Sequence, residues 1–161
     1  MKVACIQLSS GEDYTKNFKD IIKYVNQAIK NQADLIITPE TSSLMSADKK
    51  NLFKYSYEMK NDPIIKKVKL TAKSKKKWIL LGSMCIKEKN KLRNRSILIG
   101  PNGKINTYYD KINMFDVKVS KKEQHKESEV FKAGKKLVSA TLPWGKIGLS
   151  ICYDLRFPEL Y

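Results

Sequence analysis

Three residues of this sequence carry functional groups that complement one another: the Glu40 carboxylate, the Lys111 amine and the Cys152 thiol. A thiol attacks chiefly as its thiolate. With an unperturbed pKa of about 8.5 it reacts well at neutral pH only beside a base or a cation. Glu40 supplies a base able to take the thiol proton during attack. Lys111 supplies an ammonium able to neutralise charge building on an attacked carbonyl oxygen. That combination suits acyl transfer through a covalent thioester. Taken singly, each residue has an ordinary reading: a capping glutamate, one lysine among many, a cysteine packed as a small hydrophobe. The functional reading requires a fold that brings the three together.

The elements around them supply such a fold. Residues 2–8 and 34–38 read as short buried strands. Between them Phe18, Ile21, Ile22, Val25, Ala28 and Ile29 recur at helical spacing through residue 32, with Asp13 or Thr15 as the cap. A β–α–β unit of this kind favours a parallel strand pair. Pro39 ends the second strand and Glu40 follows it. Residues 48–60 read as a helix, and Pro63 opens another at its first turn. Residues 78–86 and 95–100 are expected strands. Pro101-Asn102-Gly103 is a turn, residues 105–109 form a hairpin partner, and Lys111 comes next. The charge-dense stretch 115–134 reads as a long loop, of a length that often carries function. Strands at 137–142 and 147–151 flank a turn at 143–146, and Cys152 starts an expected helix. All three groups therefore follow strands, and strand ends in an α/β sheet gather at one crevice where ligands bind.

Composition narrows the function classes. A chain of 161 residues with 42% hydrophobic content fits one domain, residues 1–161, with a real core. The net charge of +16 raises the possibility of a nucleic-acid partner, yet the only arginines are Arg93, Arg95 and Arg156. Nucleic-acid sites favour arginine's planar fork, and the lysines here are spread along the chain, as solvated faces would carry them. A basic module for nucleic acid or an anionic surface stays as the alternative reading. No apolar run is long enough for a membrane span, and the start MKVACIQLSS lacks a secretory signal, so a cytoplasmic location is expected. Three cysteines, with no CxxC pair and one histidine, His125, argue against a disulfide framework or a structural zinc. Cys5 and Cys85 lie inside expected strands and read as core. His125 as a Cys–His partner is the weaker alternative to Glu40.

The neighbours of the three residues add a resemblance. Thr38-Pro39-Glu40, the run from Tyr109 to Asp116 (YDKINMFD) and the run from Gly148 to Glu159 (GLSICYDLRFPE) resemble the three signature blocks of the nitrilase superfamily of carbon–nitrogen hydrolases, in the same order and spacing. The similarity covers essentially the whole chain and is greatest to the Nit-type branch of ω-amidases and deaminated-glutathione amidases. It implies an α-β-β-α sandwich of which this sequence supplies the first half, so the domain is expected to be incomplete at its C-terminus and a truncated, inactive fragment is a further reading. It implies Cys152 as nucleophile, Glu40 as general base and Lys111 as oxyanion stabiliser. Glu127 matches the second glutamate that relatives carry between lysine and cysteine, with Glu123 and Glu129 as substitutes. No metal or organic cofactor is implied. The implied partner is a small-molecule amide, without nucleic acid or membrane, and the full-length protein would form a homo-oligomer.

Substrate class follows from the residues after the nucleophile. Tyr153-Asp154 resembles the amidase branches rather than nitrile-cleaving relatives. Arg156, four residues beyond Cys152, would share its helix face and suit a carboxylate-bearing substrate, such as a 2-oxo dicarboxylic acid monoamide. The bland counterpart is an ion pair of Arg156 with Asp154 or Glu159. Tyr153 is a second candidate for substrate contact. Asn113 stands where many relatives carry histidine, and Thr38 replaces a commoner leucine or phenylalanine.

Overall fold

A computed structural model describes residues 1–118, 120 and 124–161. Its central sheet has five strands in the order β1 (Val3–Cys5), β2 (Leu35–Ile37), β3 (Trp78–Glu88), β4 (Lys91–Ile99) and β5 (Ile105–Asp110). The first three strands run parallel and the last three are joined by antiparallel hairpins. Helix α1 (Tyr14–Lys30) connects β1 to β2, so the expected β–α–β unit and its parallel pair are present. Helix α2 (Lys49–Tyr55) and helix α3 (Pro63–Lys75) lie between β2 and β3.

Side-chain periodicity decides what each face covers. On α1 the buried positions are Asn17, Ile21, Val25 and Ala28, one stripe of an amphipathic helix. Ile21, Val25 and Ala28 pack with Ile64, Ile65, Val68 and Ala72 of α3 on Ile36, Ile79, Leu81, Ile97 and Ile99 of the sheet. The alternate sheet residues Leu35, Ile37, Leu80 and Leu98 point to the opposite face. There the hairpin of β8 (Ser139–Leu142) and β9 (Gly145–Gly148) covers them with Ala140, Leu142 and Ile147. The class is mixed α/β, with helices on one face of the main sheet and a second, small sheet on the other.

Several boundaries differ from expectation for local reasons. Asp13 caps α1, accepting from the Lys16 N–H at 3.0 Å. The helix expected over 48–60 stops at Tyr55, because Ser56 turns extended and Tyr57 bridges to Ile86 at the sheet. The strand expected as buried at 2–8 is the sheet's edge, which leaves Val3 and Cys5 exposed, so Cys5 is not a core residue. Cys85 is buried, and burial pushes its thiol up to about 12. The expected loop at 115–134 contains two short paired strands, β6 (Asp116–Lys118) and β7 (Gln124–Lys126), and a 3-10 turn, Glu127–Glu129. Glu123 lies outside the described residues. Cys152–Arg156 is a 3-10 turn rather than the start of an α-helix. No helix among the described residues is long and apolar enough to cross a membrane.

Candidate functional site

Glu40 is fixed by an interruption in β3. The register of β3 on β4 shifts between Leu81 and Met84, which frees this stretch to bond the segment after β2. Gly82 N–H donates to Thr38 Oγ1 at 3.1 Å, Thr41 N–H to Ser83 Oγ at 2.8 Å, and Cys85 N–H to Ser43 Oγ at 3.1 Å. A Cβ at Gly82 would fall 1.9 Å from the Thr38 carbonyl oxygen, so only glycine allows this approach. The clasp leaves Thr41 at φ 46°, immediately after Glu40.

Lys111 leaves the end of β5 with its backbone secured on both sides. Its N–H donates to the Asn94 carbonyl at 2.9 Å, and its own carbonyl accepts from Gly134 N–H at 2.8 Å. The side chain is 2% exposed. Nζ lies 3.0 Å from Glu40 Oε1 and 2.9 Å from Glu127 Oε2. Burial alone pulls a lysine pKa down. Here the hydrogen bond to Glu127 and the charges of Glu40 and Glu127 outweigh that effect, so the pKa is raised and the amine stays an ammonium.

Glu127 enters from the turn after β7. Its Oε2 also accepts from the Phe115 N–H at 2.8 Å. Asn94 Nδ2 donates both to Glu40 Oε1 at 2.8 Å and to Glu127 Oε1 at 3.0 Å, tying the two carboxylates to one amide. Asn94 is a residue the sequence reading missed. The available signal was the polar triplet Arg93-Asn94-Arg95 inside a central strand, where apolar side chains are the rule. Glu129, the nearby alternative, pairs with Lys49 instead.

Cys152 follows Ile151 at the start of the 3-10 turn with φ 47°, a left-handed conformation that strains a residue with a Cβ. Its thiol is raised above the ordinary cysteine value. Burial is the largest cause, followed by the hydrogen bond and then the charge of Glu40, while Lys111 works in the opposite direction. Cys152, Glu40, Lys111, Glu127 and Asn94 line one cavity of about 720 Å³, whose outer wall includes Met45, Leu52, Phe115 and Phe131. His125 lines it too, with its ring 5.8 Å from that of Phe115.

The turn itself is held by Asp154, which is fully buried. Its oxygens accept from Tyr109 Oη at 2.7 Å, Ile151 N–H at 2.9 Å, and both the N–H and Nδ2 of Asn113 at 2.9 Å. Asp154 thus does not pair with Arg156, and Asn113 acts on the turn that carries Cys152. Tyr153 stacks edge-on against Phe115 and Phe157, with centroids 5.1 and 5.4 Å apart. The 3-10 geometry sends Arg156 away from the α-helical position assumed for it. Its side chain is exposed and is not among the residues lining the cavity. Among the described residues no group of three or more His, Cys, Asp or Glu side chains is placed to hold a metal ion.

Comparison with known proteins matches residues 2–161 to the family described as carbon-nitrogen hydrolase. A deaminated glutathione amidase of Yersinia enterocolitica is 33% identical over 164 residues, covering 99% of this chain and 56% of that protein. The omega-amidase NIT3 of Saccharomyces cerevisiae is 31% identical, covering 99% and 57%. Among solved structures, the C. elegans NitFhit protein superposes with a TM-score of 0.89 at 29% identity, over 98% of this chain and 39% of that one. S. cerevisiae Nit3, of the nitrilase superfamily, gives 0.82 at 27% identity, over 99% and 58%. The chain spans about half the length of the curated relatives it matches.

Proposed function

The chain belongs to the carbon-nitrogen hydrolase family, and from that premise we propose that it hydrolyses the amide of a small carboxylate-bearing molecule through a thioester on Cys152. The observation that carries this reading is one buried ammonium, Lys111, gripped by two carboxylates in a cavity that Cys152 also lines. The names of the similar proteins, a deaminated glutathione amidase and an omega-amidase, support the same class of substrate.

Sγ of Cys152 attacks the amide carbon as Glu40 takes the thiol proton. The carbonyl oxygen becomes an oxyanion beside Lys111 Nζ and the backbone N–H that follows the cysteine, each well-placed donor contributing roughly 3–4 kcal/mol. Glu40 returns the proton to the leaving nitrogen, the C–N bond breaks, and ammonia or an amine departs from the thioester. Water then adds to the thioester carbon with Glu40 again as base. The tetrahedral adduct collapses, releasing the carboxylic acid and restoring the thiol. Burial and Glu40 hold the thiol pKa up, which is why the scheme gives the thiol proton a base, Glu40, at the moment of attack. Recognition of the substrate carboxylate is assigned to Arg156, whose side chain stands off the cavity wall; the amide chemistry does not depend on it.

The test is mass spectrometry of the chain after incubation with an electrophilic amide analogue, alongside ammonia release from a panel of amides. The expected result is one adduct on Cys152 that disappears in Cys152→Ala. Adducts confined to Cys5 or Cys85 would remove the proposal.

A further inference from the structure

We propose that Asp154 is a positioning residue that locks the nucleophile turn to the lysine strand end, setting the Cys152–Lys111 geometry; this rests on the thiol-amidase reading above. Asp154 is buried, and neither Tyr109, Asn113 nor Ile151 belongs to the reacting groups. Its two oxygens divide cleanly. Oδ1 takes both donors of Asn113, two residues beyond Lys111. Oδ2 takes Tyr109 Oη, two residues before Lys111, and Ile151 N–H, one residue before Cys152. Tyr109 Oη in turn accepts from Ile112 N–H at 3.2 Å, so two of the residues around Lys111 bond this carboxylate directly and a third is linked to it through Tyr109.

This arrangement reaches both reacting groups through backbone. A carboxylate can accept at both oxygens, and here each oxygen receives one backbone N–H, which cannot rotate away. An amide in the same place has one acceptor and one donor. In Asp154→Asn, whichever way the amide turns, its NH2 meets a backbone N–H, of Asn113 or of Ile151. One of the two anchors is lost in either orientation: the lysine side or the cysteine side. Cys152 also holds its φ of 47° only because the surroundings impose it, so slackening the Ile151 anchor lets the turn relax.

The experiment compares Asp154→Asn and Tyr109→Phe with the unmodified chain, per folded molecule as measured by circular dichroism. Iodoacetamide modification of Cys152 is followed against pH by site-resolved mass spectrometry, and kcat and KM for ammonia release are measured separately. Glu40 raises the thiol pKa by more than Lys111 lowers it, and the two are bonded together, so loss of register should move the alkylation midpoint of Asp154→Asn downward, by about one pH unit. Its kcat should fall about 100-fold, the scale of a small misplacement of reacting atoms, with KM nearly unchanged. Tyr109→Phe loses one of the four donors and should shift both readouts in the same direction by less. An unchanged midpoint and kcat in folded Asp154→Asn would overturn the proposal, as would a fall in thermal stability alone. Because alkylation does not require turnover, absence of amide hydrolysis in the unmodified chain would count against the amidase reading and leave the positioning test intact.

Discussion

Glu127→Gln is expected to slow amide turnover while making the Cys152 thiol easier to ionise. The two effects have separate origins in one carboxylate. Glu127 Oε2 receives Lys111 Nζ at 2.9 Å and Phe115 N–H at 2.8 Å, and Oε1 receives Asn94 Nδ2 at 3.0 Å. A glutamine oxygen can keep the first two donors, but its NH2 then faces Asn94 Nδ2, and the charge opposite the lysine is gone. At an effective dielectric of about 20, a unit pair at this separation interacts with roughly 6 kcal/mol before desolvation is subtracted. Glu40 still pairs with Lys111, so no unpaired buried charge results. The net loss should be that of one charge-assisted hydrogen bond, about 1.5–3 kcal/mol. If the freed amine drifts from the oxyanion position by as little as about 1 Å, kcat falls on the order of 100-fold. The Glu127 charge also contributes to raising the Cys152 pKa, so its removal lowers that pKa, and alkylation at pH 8 should accelerate. Stopped ammonia assays and iodoacetamide kinetics on the same preparation check both limbs. Turnover that survives intact, or a thiol that reacts more slowly, would refute the assignment of Glu127 to the lysine.

Two further outcomes follow from backbone geometry. Gly82→Ala drives a Cβ into the Thr38 carbonyl at 1.9 Å, and should lower stability by at least about 3 kcal/mol, read by urea denaturation. Cys152→Gly removes the side chain from a φ of 47° and should raise stability by about 1 kcal/mol while abolishing any Cys152 adduct.

Much of this site was legible in the sequence because its chemistry sits next to strong local signals. Pro39 ends β2 ahead of Glu40, the Pro101-Asn102-Gly103 turn sets the hairpin that leads to Lys111, and the apolar run to Ile151 precedes Cys152. Glu127 was found by family resemblance; its stretch has no periodicity, and two three-residue strands are too short to leave a pattern. Asn94 and Asp154 escaped for a different reason. Their hydrogen bonds reach residues distant in sequence, at separations of 33 to 54 residues for Asn94 and of 41 and 45 for the bonds of Asp154 to Asn113 and Tyr109, and nothing local encodes those partners. Cys5 was misjudged because an apolar strand looks alike whether it lies in the middle of a sheet or at its rim. The direction taken by Arg156 depended on whether the turn after Cys152 was α or 3-10, a difference of one hydrogen-bond step that composition does not reveal.

The donors on Glu40 separate two duties within a single side chain. Asn94 and Lys111 both donate to Oε1, which makes that oxygen the tethered member. Under the proposed mechanism Oε2 is the oxygen left to take the proton of Cys152 and to pass it to the departing nitrogen without the tether letting go. A carboxylate so divided is a hinge with one leaf screwed down: the fixed half holds the lysine, and the loose half is the one the proposal assigns to the shuttling.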